Sequence, residues 1–281
     1  MLRSVMIPAD FTPESALILR FAEGLPALGV KRVVLGHVVE ASGLEGPVIA
    51  AKVDKACDDI RALTGRLVEA GLDVETRVGT GDPAQGLLAL ATESYVAAVV
   101  CGTHGRGIIS KLISGSVAEE IAVEANVPTM LVRFDLLRTR EEPSSFARDF
   151  GKQVLLPIDF SSSSTRALMS VLELPRGSVG MLYLMHVLDP GLHGGPLERA
   201  REGAGFQLDN LRKIAEDAGV QARCVVKQGP ALRSILQEAN ERRVTGIVVG
   251  TRGQNPLQEA VLGSTSMAIV RQASAPVLIV P

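Results

Sequence analysis

Along the 281-residue chain, short apolar runs rich in valine, isoleucine and leucine alternate with longer segments in which apolar residues recur at helical spacing. The runs predict strands near residues 3–9, 32–39, 72–78, 96–101 and 128–133; the segments between them predict helices near 13–28, 51–70, 83–94 and 115–125. The strand pattern then starts again, near 153–158, 179–187, 220–227, 244–249 and 276–280. Strand and helix alternating at this length call for parallel strands joined by right-handed crossovers, with helices on both faces. The chain is therefore read as α/β, a doubly wound parallel sheet of five strands built twice.

The second pattern repeats particular residues of the first as well as its period. MIPADFTPESA (6–16) matches LPIDFSSSSTRA (156–167), VVLGHVV (33–39) matches LYLMHVL (182–188), and VPTMLVR (127–133) matches APVLIVP (275–281). Asp10 recurs as Asp159 and His37 as His186, both at an offset of 149, and Gly102 recurs as Gly250 at 148. A near-constant offset over about 120 residues marks a duplicated domain. The expected boundaries are a first domain over 1–133, a linker over 134–152, where charge rises and Pro143 and paired serines interrupt the pattern, and a second domain over 153–281. DPGLHGGP (189–196) reads as a mobile loop.

Composition narrows the function classes. Hydrophobic residues make up 46% and charged residues 21%, enough apolar material for packed cores. A net charge of −2 without a dense basic cluster, no tryptophan and only two tyrosines argue against nucleic acid. No segment reaches the roughly 18 apolar residues of a membrane helix, so no membrane partner is expected and the protein is read as cytoplasmic. Cys57, Cys101 and Cys224 lack metal-like spacing and are odd in number, which fits reduced thiols.

The candidate chemistry lies in a repeated glycine pattern. GTHGRGIISKLISGS (102–116) follows the apolar run VAAVVC, and GTRGQNPLQEAVLGS (250–264) follows GIVV. Nearly every side chain between the glycines differs, yet the glycine and serine spacing is the same. Gly102, Gly105 and Gly115, with Gly250, Gly253 and Gly263, let the main chain turn tightly and approach a ligand without a Cβ in the way. Ser116 and Ser264 add a hydroxyl where a helix opens, and the free amides of that first turn favour an anion. His104 and Arg106 in one loop, and Arg252 in the other, are further candidates for phosphate contact; the alternative is that they face water.

This spacing, G-2x-G-9x-G-[ST] after the fourth strand with an aspartate ending the first, resembles the ATP-binding pattern of the universal stress protein family over nearly all of both halves. The resemblance implies strand order 3-2-1-4-5 and a cleft where strands one and four lie side by side, with Asp10 and the Gly102 loop, or Asp159 and the Gly250 loop, facing one pocket. A carboxylate would repel a triphosphate, so each aspartate is expected at the adenine or ribose end; its alternative role is a helix cap. The resemblance also places the main chain of Val38 and Val187 against adenine, and it implies ATP, or ADP or AMP, as cofactor, with Mg²⁺ arriving on the nucleotide.

His37 and His186 sit in apolar strands and are read as structural, and no metal site of protein ligands alone is expected. There is no P-loop and no nucleophile elbow, nor a base placed alike in both copies, so the pockets read as built to hold a nucleotide. The leading expectation is an ATP-binding regulator of the stress-response type that acts on an unidentified protein partner. An interaction scaffold with empty pockets is the first alternative and a slow ATPase the second. The fifth strands are expected to pair within the chain as a pseudo-dimer, with association into a homodimer an open alternative.

Overall fold

The computed structural model describes residues 2–104, 114–251 and 263–281. The chain forms two compact units, residues 1–148 and 149–281.

In the first unit the strands are β1 (Ser4–Pro8), β2 (Arg32–Val39), β3 (Asp73–Thr80), β4 (Ala98–Thr103) and β5 (Thr129–Arg133). All pair in parallel, in the order β3-β2-β1-β4-β5. β1 and β4 are central and buried on both faces, which is why MIP and VVC read as continuous apolar runs. The outer strand β3, DVETRVGT, is half exposed and interleaves charge with valine. The helices are α1 (Pro13–Ala22), α2 (Gly46–Ala62), α3 (Gly65–Glu69), α4 (Pro83–Glu93) and α5 (Ser114–Glu124), and a 3₁₀ turn spans Leu25–Leu28.

Three of the expected helices differ from the sequence expectation. The segment 13–28 ends its α-helix at Ala22 and resumes as the 3₁₀ turn Leu25–Leu28. The segment 51–70 is two helices, because Thr64 turns its hydroxyl back to the Arg61 carbonyl and Gly65 is a weak helix former. The first of the two also begins earlier, at Gly46, with Pro47 in the first turn, where proline is well tolerated. α5 starts at Ser114 and so takes Gly115 into its first turn instead of following it.

The stretch read as a linker is folded. It forms α6 (Phe134–Leu137) and α7 (Ser144–Asp149), and Phe134, Leu137, Phe146 and Ala147 are buried in the first unit. The guanidinium of Arg140 lies 4.0 Å over the Phe146 ring. The charges that suggested a linker thus ride on an apolar stripe at spacing three, Phe134 to Leu137.

The second unit contains β6 (Gln153–Pro157), β7 (Met181–Leu188), β8 (Ala222–Gln228), β9 (Gly246–Gly250) and β10 (Val277–Val280), in the order β8-β7-β6-β9-β10, again all parallel. Its helices are α8 (Ser162–Leu172), α9 (Gly194–Asp217), α10 (Ala231–Glu241) and α11 (Ser264–Gln272). The stretch 189–196, expected as a mobile loop, is pinned. Its last three residues begin α9, and the Gln228 amide donates to the carbonyls of Asp189, Pro190 and Leu192 at 3.3, 3.4 and 2.7 Å. Among the described residues no helix is long and apolar enough to cross a membrane.

Candidate functional site

At the carboxyl ends of β1 and β4 in the first unit lies a cavity of about 390 Å³. Asp10 enters it from the turn after β1. Its Oδ1 accepts hydrogen bonds from the Thr12 amide at 3.1 Å and the Thr12 hydroxyl at 2.6 Å. Thr12 in turn caps α1, accepting from the Ser15 amide at 3.2 Å. The cap is therefore Thr12, and Asp10 holds the cap in place. Phe11 between them has φ 61°, a left-handed conformation that L residues adopt at a cost, and its ring lies 4.6 Å from the His37 imidazole.

His37 and Val38 reach the same cavity from the end of β2. His37 Nδ1 is 2.7 Å from the Ala9 carbonyl. A carbonyl only accepts, so Nδ1 carries the proton, and in the neutral ring Nε2 is the acceptor. The histidine read as purely structural is thus anchored through one nitrogen while its ring lines the cavity. Val38 packs its side chain on Gly86 of α4 and lines the cavity.

Gly102, the next-to-last residue of β4, lines the cavity too, and its lack of a side chain has a measurable reason: a Cβ there would come within 2.2 Å of the Phe134 ring and 2.8 Å of Ile18. Beneath it, burial pushes the Cys101 thiol up to about 12, so this sulfur stays protonated and inert at neutral pH. The lining also includes Glu40, Asp82 and Glu120, and no lysine or arginine among the described residues. His104 follows β4, half-buried, with its ring 5.0 Å from that of Phe134. Ser116 falls in the first turn of α5 with Gly115. Gly105 and Arg106, with Arg252 and Gly253 in the other copy, lie outside the described residues.

The second unit repeats the frame. Asp159 Oδ1 accepts from the Ser161 amide at 3.0 Å and its hydroxyl at 2.6 Å, and Ser161 caps α8 through the Ser164 amide at 3.2 Å. Phe160 has φ 63°, and its ring lies 4.6 Å from that of His186, whose Nδ1 is 2.7 Å from the Ile158 carbonyl. Val187 follows on β7. At Gly250 a Cβ would meet the Ser163 hydroxyl at 2.2 Å. The two described ends of the glycine pattern meet: the Gly263 amide donates to the Thr251 carbonyl at 2.9 Å, and the Ser266 hydroxyl donates to the Gly250 carbonyl at 2.9 Å. Gly263 occupies the cap position of α11 and Ser264 its first, exposed turn. Among the described residues no group of three histidine, cysteine or acidic side chains could hold a metal ion.

The profile of the universal stress protein family matches residues 1–133 and again residues 151–281. The chain belongs to the universal stress protein family. It is similar over 98% of its length to a universal stress protein of Mycolicibacterium smegmatis, at 24% identity and with 96% of that protein covered. Over 46% of its length it is 32% identical to universal stress protein YxiE of Bacillus subtilis, covering 97% of it. The crystal structure of a universal stress protein from Archaeoglobus fulgidus superimposes with a TM-score of 0.80 at 21% identity, covering 100% of this chain and 98% of that one, which establishes the shared fold.

Sequence reasoning on this universal stress protein missed Phe134, Glu40, Asp82 and Glu120 as cavity residues. Asp82 had a readable signal, since Asp-Pro before a helical segment marks a cap, and its carboxylate does accept from the Gln85 amide at 3.0 Å. Glu40 directly follows the HVV run of β2, so its nearness to the Val38 edge was also legible. Glu120 reaches the site from the second turn of α5 and Phe134 from beyond β5, and only the folded topology brings those two together.

Proposed function

We propose that this universal stress protein binds an adenine nucleotide, ATP in the first instance, in the cleft between β1 and β4, and that the repeated frame in the second unit serves the same end. The observation that carries the reading is the cavity itself. It is about 390 Å³ in volume, within the roughly 300–1,000 Å³ range of small-molecule sites, with Asp10, Val38 and Gly102 all on its wall.

The chemistry of the lining fits the nucleoside end. Asp10, Glu40, Asp82 and Glu120 supply acceptors for amino and hydroxyl donors, and Leu87 and Ile121 supply apolar surface for a base. The same carboxylates oppose a bare triphosphate. Charge balance therefore falls to Arg106 in the glycine loop, to the amides opening α5, or to Mg²⁺ carried on the nucleotide. Nothing in this set of groups is arranged as nucleophile and base, so the role we assign is regulatory: occupancy changes the surface offered to a protein partner.

Equilibrium binding of labelled ATP to the whole chain tests the reading, with ADP and AMP as competitors and with Gly105→Val and Gly253→Val singly and together. Saturable binding that falls in two steps supports it. A parent chain that binds no nucleotide overturns it in favour of an interaction scaffold.

A further inference from the structure

Phe134 follows β5 directly, in the stretch between the repeats, yet it is only 6% exposed and lines the cavity of the first unit. Three contacts fix the ring. It fills the space over Gly102 that a Cβ would need, it borders Ile18 of α1 at that same glycine, and it lies 5.0 Å from the His104 ring at a tilt of 58°. The segment that carries it is tied to α1 at two points, by the ion pair of Arg138 with Glu14 and by the Arg20 guanidinium donating to the Glu141 carbonyl.

We propose that Phe134 is a ligand-contacting residue of the first pocket, and that the inter-repeat segment 134–141 forms a wall of that pocket which a bound adenine nucleotide fastens in place. The inference rests on the nucleotide reading of the same cavity. Its physical basis is a balance of contacts. The ties to α1 are a partly exposed ion pair and an exposed hydrogen bond to a main-chain carbonyl, each of small individual worth, so the segment is held chiefly by the packing of Phe134 and Leu137. A molecule filling the cavity covers the remaining face of the ring and adds to that packing. It also excludes water from the Gly102 main chain, where polar contacts to the ligand then act in a lower dielectric. Binding to the packed arrangement of the segment stabilises it through mass action.

Amide hydrogen exchange on the whole chain, with and without ATP and Mg²⁺, reads each segment separately. The expected result is slowed exchange at 98–104 together with slowed exchange at 134–141, with the same half-saturation. In Phe134→Ala the half-saturation at 98–104 rises by about tenfold, equivalent to roughly 1.4 kcal/mol, while that at 246–251 in the second unit is unchanged. Phe134→Leu, which keeps an apolar side chain on Gly102, falls between the two and guards against a general folding defect. Gly102→Ala, whose new Cβ displaces the Phe134 ring, weakens binding at 98–104 in the same direction. Slowing at 98–104 with none at 134–141, or an unchanged half-saturation in Phe134→Ala, overturns the inference and leaves the nucleotide reading standing. No slowing in any segment overturns both.

Discussion

The two units repeat the same turns at their strand ends and differ in the packing behind them. At the cleft the copies agree closely: each aspartate holds its helix cap at 2.6 Å, each histidine is 2.7 Å from a carbonyl, and each left-handed phenylalanine packs 4.6 Å from its histidine. Toward the outer strand they part. In the first unit Gly79 of β3 faces Leu90 of α4, an apolar contact. The equivalent pair in the second unit is Lys227 of β8 and Glu238 of α10, joined by Arg242, whose guanidinium donates to Glu238 at 2.6 Å and lies 4.6 Å over the Tyr183 ring. One scaffold thus accepts either hydrocarbon or a charge cluster in that layer without moving the cleft. The strand ends that build the site are set by sheet register and the turns after β1 and β6, and the outer layer is not part of that geometry.

The largest expected effect follows from the charge cluster. The Glu238 side chain is 2% exposed, whereas Lys227 and Arg242 keep about a third of theirs in water, at 31% and 35%. Glu238→Ala removes the buried member and leaves two cations that rehydrate in part, so the cost should fall at or below the low end of the loss seen on breaking buried pairs, about 3 kcal/mol. Chemical denaturation read by exchange at 222–228 should show this loss in the second unit, with residues 73–80 of the first unaffected. A loss shared by both units would break the comparison. Burial alone would raise the Glu238 carboxyl, but hydrogen bonds from Lys227 and Arg242 outweigh it and hold the group below its usual range. A depressed folded value gives stability that is present above the unfolded value, about 4.3, and is lost as pH falls through the folded one. The second unit of Glu238→Gln should therefore lose less stability between about pH 5 and pH 3 than that of the parent.

A middle-sized effect comes from Gly102 and Gly250, which hold equivalent positions for different reasons. Alanine at Gly102 meets the Phe134 ring, and alanine at Gly250 meets the Ser163 hydroxyl and main chain. Both substitutions overfill packed space, at about 1–3 kcal/mol each. The remedies differ. Phe134→Leu should restore part of the loss for Gly102→Ala, since a ring can be exchanged for a smaller side chain. No side-chain change at Ser163 should restore Gly250→Ala fully, since the Ser163 carbonyl carbon lies 2.9 Å from the new Cβ. Equal rescue in both units, measured by thermal unfolding, would erase the distinction.

Much of this architecture was legible because the sheet writes itself into the sequence. β4 and β9 are covered on both faces and read as unbroken apolar runs, and the aspartate, histidine and glycine offsets reveal the duplication. The illegible parts depend on contacts between residues distant in sequence. Phe134 reads as the start of a charged connection because the ring it meets, His104, lies thirty positions earlier. The stretch after β7 reads as mobile because Gln228, which holds three of its carbonyls, belongs to the next strand. Glu120 joins the cleft through helix phase, which periodicity suggests, and through helix placement, which it does not.

The smallest effect probes the feature in which the units are most alike. Thr12 and Ser161 each cap a helix and each donate a hydroxyl to the aspartate two residues earlier. Their mutual exchange, Thr12→Ser and Ser161→Thr, keeps both bonds and differs by one methyl group, so each change should lie within about 0.5 kcal/mol of the parent. Alanine at either position removes the cap and the hydroxyl bond to the aspartate, while the main-chain amide bond to that aspartate remains, at about 1 kcal/mol in its own unit. Equal costs, read as the change in exchange at 13–22 and at 162–172, are expected if the two turns are energetically as well as geometrically the same. If Thr12→Ala costs clearly more than Ser161→Ala, the first turn carries load from elsewhere. The nearest source is Arg138, the residue capping the end of α6, which pairs with Glu14 in the first turn of the helix that Thr12 caps. Arg138→Ala would then bring the two costs back together.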